Sequence, residues 1–318
     1  MGGGSRPRVG FMPISKSRIP FPDPNKLGKH SASVGLGEVG GMTFTCRGGH
    51  VDIDHIRGNA DGTRYLVKKI QSTLSKNKKE LSYKIGGEPS SHKITFTYPA
   101  DWARQPDKEQ IIERIAYSTA PYIEFHCTTW HEMLTWFGVH FALIEPEFNS
   151  AFSWEDTYSN LLGCIIGAEA AQDKQRSYDE AVTMLIYKKL QELDVQPGEA
   201  VGRPASAKVK GDWWIDGWVP DMKYRSFDIG LKGCITPVIV PGIAQCQGVE
   251  PYCLPAPTLD TLHKYGFSME HVIKPGVMQA GRMYTAAGSK KIIPEQAYPN
   301  MIKYMAREAT ARGDKYVE

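Results

Sequence analysis

The residues best equipped for chemistry stand in Trp130-His131-Glu132-Met133-Leu134-Thr135-Trp136-Phe137-Gly138. A histidine followed by a glutamate on a helix offers a metal ligand beside a general base. The imidazole binds a divalent cation, and the carboxylate takes a proton from the water that the cation activates. A second histidine one turn on would complete a helical ligand pair, but that position holds Thr135. The other ligands must come from elsewhere in the chain. Glu155 and Asp156 lie in an acidic, serine-containing phrase, Ser153 to Gly163, and His50-Val51-Asp52-Ile53-Asp54-His55 supplies more imidazoles and carboxylates. Two histidines with one or two carboxylates suit Zn²⁺, Fe²⁺ or Mn²⁺. The expected set is His131, His55 and Glu155 or Asp156 as ligands, Glu132 as the base, and Thr135 behind them.

The distance from His131 to Glu155 and Asp156 resembles that in the thermolysin-like zincins. In that family a second helix brings a carboxylate ligand within a Glu-x-x-Ser-Asp-x-x-Gly context. Asp156 takes the ligand position if Ser159, Asn160 and Gly163 are aligned with that context, and Glu155 takes it if the spacing from His131 is kept. The resemblance implies two helices facing one pocket. It covers about 35 residues and fails at Thr135. A different chemistry attaches to Cys127 in Phe125-His126-Cys127-Thr128-Thr129-Trp130, because a cysteine leading a helix gains thiolate character. With His50 on a preceding strand, this order resembles the circularly permuted papain-like enzymes. Against it, the apolar periodicity runs through Cys127 unbroken, as it does for a cysteine in a helix core. Asp52, Asp54 and Asp156 are also well placed as helix caps. The tryptophans at Trp130, Trp136, Trp213, Trp214 and Trp218 suit either a cleft for a sugar or a core.

The elements that must hold these residues can be read from periodicity and punctuation. Pro13, Pro20, Pro22, Pro24 and repeated glycines predict an extended arm over residues 1–40. A short strand at Met42 to Thr45 precedes a turn at Cys46-Arg47-Gly48-Gly49, and a helix follows from about Ile53 to Ser75, capped by Asp52 or Asp54. Leu81 to Ile85 and Lys93 to Tyr98 read as a hairpin around Gly86-Gly87-Glu88-Pro89. Apolar residues recur at helical spacing from Asp107 to Gly138, with Pro121 expected to kink or divide the helix. Ser153 with Asp156, and Ser177 with Glu180, have capping-box spacing and open two more helices. Beyond Pro197 short strands are expected at Trp213 to Trp218, Ser226 to Leu231 and Ile235 to Val240, and a last helix at about Glu295 to Arg312. The whole reads as an α+β protein: the arm, a helical core over 41–196 carrying the site, and a strand- and loop-rich part over 197–318.

Several phrases together resemble an uncharacterised bacterial family, commonly exported or lipoprotein-like. They are Thr45 to Gly49 with His55 to Arg57, Trp130 to Gly138, Ser153 to Gly163, and Phe227 to Leu231 with Thr236-Pro237. The resemblance implies a shared core and an envelope location, and it brings no assigned activity. Met1 to Ser5 reads as an added leader with no export signal behind it, so that location would require a signal removed from this chain.

With 318 residues and 41% hydrophobic content, the chain can bury a large core. Its 38 basic and 35 acidic residues give a net charge of +3, too little to draw nucleic acid. No apolar run approaches transmembrane length, and no glycine-rich phosphate loop occurs. Of the six cysteines, Cys246 and Cys253 are the pair close enough in sequence to close a loop. The expected function is a metal-dependent hydrolase, with Zn²⁺ as one candidate, acting on a small-molecule, peptide or glycan substrate. The alternatives are a Cys127–His50 hydrolase or acyltransferase, and a non-catalytic binding protein.

Overall fold

The computed structural model describes residues 10–34, 36–85, 88–138 and 147–318. Residues 1–9 of the arm, Gly86-Gly87 and His140 lie outside the described residues. The described residues of the arm, 10–34 and 36–40, hold no helix or strand, and buried polar groups fix them in place. Arg57 donates to the carbonyls of Leu27 and Val39, and His30 lies between Glu38 and Asp61 at 3.1 and 3.0 Å.

Strand β1 (Met42–Thr45) turns back through β2 (Gly49–Asp52) into helix α1 (Ile53–Ser75). Asp52 caps that helix: its Oδ1 accepts the N–H of Asp54 at 2.7 Å and of His55 at 3.4 Å. Strands β3 (Glu80–Tyr83) and β4 (Ser91–Thr97) form the expected hairpin. Helix α2 (Lys108–Trp136) runs unbroken through Pro121, so the predicted division does not occur. Helices α3 (Asp156–Gln172) and α4 (Tyr178–Glu192) follow. Ser177 and Glu180 make a full capping box at α4. At α3 only half of one forms. Asp156 reaches back to the N–H of Ser153, while the Ser153 hydroxyl turns to Glu155 instead of to the backbone.

The C-terminal third holds β5 (Val195–Gln196), α5 (Arg203–Lys208), β6 (Trp214–Ile215), β7 (Asp221–Met222), β8 (Tyr224–Ser226), β9 (Cys234–Ile235), β10 (Leu254–Pro255), α6 (Asp260–Lys264), β11 (Ser268–Lys274), α7 (Ala280–Ala287), α8 (Pro294–Ala311) and β12 (Lys315–Val317). The strands here are shorter than the β-branched runs predict, because prolines and glycines at Pro220, Gly230, Gly233 and Pro237 interrupt the ladders. The α+β class stands, with eight α-helices among the described residues. None of the described helices is long and apolar enough to cross a membrane.

Helices α1, α2 and α3 pack on one another at the centre. Glycines set the approach of α3 to α1: a Cβ on Gly163 would lie 2.5 Å from the Ile56 carbonyl oxygen, and one on Gly167 equally close to that of Ala60. The sheet β11-β4-β3 lies against the α1–α2 side through Leu81, Ile94 and Phe96, packed with Ile70, Ile115 and Ile123. Two disulfides fasten the C-terminal loops, Cys46–Cys246 and Cys234–Cys253. The Cys246–Cys253 pairing expected from proximity in sequence is therefore replaced. Cys253 adjoins β10, which pairs with β9 and so meets Cys234, while Cys246 meets the turn after β1. Trp130, Trp136, Trp154, Trp213 and Trp214 are core residues rather than cleft walls, and Trp218 is exposed.

Candidate metal centre

The start of α1, the start of α3 and a single residue of α2 bring five ionisable side chains to one place. Asp52 sits at the β2–α1 junction with both oxygens engaged: Oδ1 caps α1 and Oδ2 accepts the N–H of Phe11 from the arm. Glu155, just before α3, accepts from the hydroxyls of Ser153 at 3.1 Å and Ser159 at 2.7 Å. Ser159 also accepts the N–H of Asp52 at 3.0 Å, so one hydroxyl ties the two carboxylate segments together. Asp156 accepts the N–H of Ser153 at 2.6 Å. Glu132 on α2 accepts the N–H of Phe152 at 2.9 Å and feels the charge of Asp156.

His55 completes the group. Its Nδ1 lies 3.4 Å from Asp156 Oδ1 and 3.9 Å from both Asp52 Oδ2 and Glu155 Oε2, yet makes no hydrogen bond. The ligand atoms of Asp52, His55 and Glu155 all lie within 4.8 Å of one another. Burial raises the pKa of Asp52 to about 7 and of Glu155 to about 8, with the Asp52 charge adding to the latter. Glu132 rises to about 8 through burial and then the Asp156 charge, and Asp156 is pushed well up by burial and Glu155. Burial lowers His55 to about 4, which favours the neutral imidazole that a metal needs. Four crowded carboxylates and an unpartnered imidazole nitrogen are a donor set that a divalent cation would satisfy in place of shared protons.

Glu132, His55, Glu155 and Asp156 thus lie together, and both Glu155 and Asp156 face His55. His131 does not join them. It is exposed, and its ring is not among the atoms that converge. Successive helical residues point about 100° apart, so the turn of α2 that directs Glu132 toward Phe152 and Asp156 directs His131 outward. Asp52, in the acidic segment but outside the expected ligand set, joins the cluster as well as capping α1. Thr135 back-bonds to the His131 carbonyl within its own helix, at 3.0 Å.

The Cys127–His50 pairing is overturned. Cys127 lies deep within α2 rather than at its start. It is buried, and its contacts are Tyr83 Oη at 3.0 Å and His92 Nδ1 at 3.7 Å. Burial raises its thiol well above the ordinary range. His50 is packed among Phe21, Phe44 and Trp154, with its ring nitrogens facing the Gly202 carbonyl and the Trp154 indole N–H.

The other residues of the quoted phrases are structural. Arg57 holds the arm, Asn160 accepts from Asn59 at 2.6 Å, and the Trp130 and Trp136 indoles donate to Ser90 and Glu308. Arg225 NH1 reaches the Ala151 carbonyl at 2.6 Å, which supports the segment that carries Phe152 and Ser153. No curated protein and no solved structure matches the chain. A family described as "Protein of unknown function (DUF4056)" matches residues 23–225 and so contains all five clustered side chains, and the chain belongs to it.

Proposed function

We propose that this protein is a metal-dependent hydrolase. The observation that carries the reading is the convergence of Asp52, His55 and Glu155, with Asp156 against the same imidazole. A bound Zn²⁺, Mn²⁺ or Fe²⁺ would supply Lewis acidity and a nucleophilic water near neutral pH. The chain's own part is to hold the donors and move protons. Ser153 and Ser159 orient Glu155. The N–H groups of Phe152 and Ser153 fix Glu132 and Asp156. Glu132, with its pKa raised to about 8, is suited to accept and return a proton at that pH. Two disulfides favour an oxidising compartment and hence the bacterial envelope, where a peptide, glycan or lipid-linked substrate would be met.

One observation favours a second reading, a non-catalytic metal-binding protein. The arm lies directly on the site: a Cβ on Gly10 would come within 2.1 Å of His55 Nε2, and Phe11 donates to Asp52. A hydrolase would have to move this segment to admit substrate. Elemental mass spectrometry on wild type, Glu155→Gln and Glu132→Gln, followed by a hydrolase panel, tests both readings. Loss of one metal equivalent in Glu155→Gln, with metal kept but hydrolysis lost in Glu132→Gln, supports the enzyme. Metal kept with no hydrolysis in wild type leaves the binding role, and wild type that retains the same metal content as Glu155→Gln sinks both.

A further inference from the structure

A second group of ligand-type atoms converges at Cys127 of α2 and shares no residue with the carboxylate site. Strands β3, β4 and β11 turn alternate residues toward α2, and their registers fix which of these meet. Tyr83 stands opposite His92, and Ile273 stands opposite His92 on the other side, so His271 is its diagonal neighbour on the same face. Cys127 of α2 faces them. His92 Nδ1 and His271 Nε2 are 3.1 Å apart, and Cys127 Sγ is 3.7 Å from that same Nδ1. These three ligand atoms all lie within 4.8 Å of one another.

Zinc bonds of about 2.0–2.1 Å to nitrogen and about 2.3 Å to sulfur, in a tetrahedron, place ligand nitrogens about 3.4 Å apart and nitrogen about 3.6 Å from sulfur. The two spacings from His92 Nδ1, 3.1 Å to His271 Nε2 and 3.7 Å to Cys127 Sγ, lie close to those values. The cluster is sealed: His92 is 1% exposed, and Cys127 and His271 are at 0%. The outer atoms carry the second, independent observation. His92 Nε2, His271 Nδ1 and both carboxylate oxygens of Glu88 are buried without a hydrogen bond, and Glu88 Oε1 lies 3.5 Å from His92 Nε2. As a plain hydrogen-bonded pair, one imidazole must carry its proton between the rings and leave its outer nitrogen bare. With a metal between the rings, both protons sit on the outer nitrogens, and that of His92 points at Glu88, the carboxylate–histidine–metal relay common to such sites. A dication, the Cys127 thiolate and the Glu88 carboxylate also sum to zero charge in a dry interior.

We propose that His92 Nδ1, His271 Nε2 and Cys127 Sγ bind a Zn²⁺-class cation that staples β4 and β11 to α2, with Tyr83 Oη, 3.0 Å from Sγ, an oxygen at hand for the fourth position. Binding releases the thiol proton of Cys127 to solvent and leaves both imidazoles neutral. With no opening to solvent at any ligand, the centre is structural.

The test is cobalt substitution in whole protein produced in cobalt-supplemented medium. Thiolate bound to Co²⁺ absorbs in the near ultraviolet, and tetrahedral Co²⁺ gives intense visible bands that an oxygen-rich site does not. The expected result is a thiolate band in wild type that persists in Cys164→Ser and in Glu155→Gln and is lost in Cys127→Ser and His271→Gln. The wild-type spectrum decides even if those last two variants fail to fold. Cobalt uptake without a thiolate band, a band retained in Cys127→Ser, or no uptake at all would each overturn the proposal. None of these spectra depends on hydrolysis, and failure of the carboxylate site would leave the thiolate band intact.

Discussion

The carboxylate cluster and the His92–Cys127–His271 cluster both draw a residue from α2 and differ in their donors. The first gathers four acidic groups and one imidazole whose side chain is 25% exposed. The second gathers nitrogen and sulfur and is closed to solvent. The first lies wholly within the segment that matches the family, whereas the second takes His271 from beyond its end at residue 225. Hard oxygen donors suit a cation that exchanges water, and soft donors in a dry core suit one that never leaves. Donor chemistry alone therefore separates the two centres, since the four carboxylates are buried as well and the arm at Gly10 covers His55.

The largest effect expected is the separation of the two centres by single substitutions. Glu155→Gln should weaken metal binding at the carboxylate site by more than about 100-fold, since even partners outside the ligand set are worth 10–100-fold, while the Cys127 spectrum is unchanged. Isothermal titration of metal-stripped protein measures this. If Glu155→Gln abolished both signals, the centres would be one cooperative unit. Next in size is Gly163→Ala. The added methyl would meet the Ile56 carbonyl oxygen, the Asn59 Cβ and the Ile56 Cα at 2.5–2.9 Å, none of which can swing aside, so α3 must move away from α1. The expected cost is about 1–3 kcal/mol in a denaturant titration, with weaker metal binding beside Asp156 and no change near Cys127.

Much of the carboxylate site is legible in the amino-acid sequence. The Ser153 to Gly163 phrase supplies two carboxylates, two serines that position Glu155, and the glycine that lets α3 approach α1. Glu132 is marked by its place in a helix of clear periodicity. His131 misleads because adjacency in sequence is not adjacency on a helix, and one residue's rotation carries it to solvent. Asp52 is hidden by its own capping role, since an aspartate before a helix has a sufficient reason to be there. The second centre leaves almost no trace. His92 and His271 are single inward residues on two ordinary strands, 179 positions apart, and Cys127 continues an apolar helix face. Only strand register brings them together, and register is set by side-chain packing along whole strands rather than by any local motif.

The pH dependence of the metal-stripped protein sharpens the contrast further. Asp52, Glu155 and Glu132 have folded-state pKa values raised to about 7, 8 and 8. Above the ordinary histidine range, where the lowered pKa of His55 leaves its imidazole neutral in both states, the folded protein holds the extra carboxylate protons, so its stability falls as pH rises through 7 to 8. Each carboxylate protonated only in the fold contributes a slope of about 1.4 kcal/mol per pH unit. Thermal unfolding from about pH 6.5 to about pH 8.5 should show the decline, and added divalent metal should reduce it most at the alkaline end by replacing the protons. A flat or rising profile in the stripped protein would mean that the carboxylates are ionised and stabilised by something other than a cation.

The smallest effect belongs to the residue whose motif is the most prominent in the sequence. His131→Ala should keep both metal equivalents and change stability by no more than about 0.5 kcal/mol, the usual range for an exposed position. Its one expected trace is electrostatic. The His131 charge helps to lower the pKa of Glu132 against burial and Asp156, and a general base acts only when ionised, so removal of His131 should move the acidic limb of any activity profile upward without altering metal content. A variant that lost metal would show that His131 turns inward once a cation is bound, and would restore it to the ligand set beside Glu132.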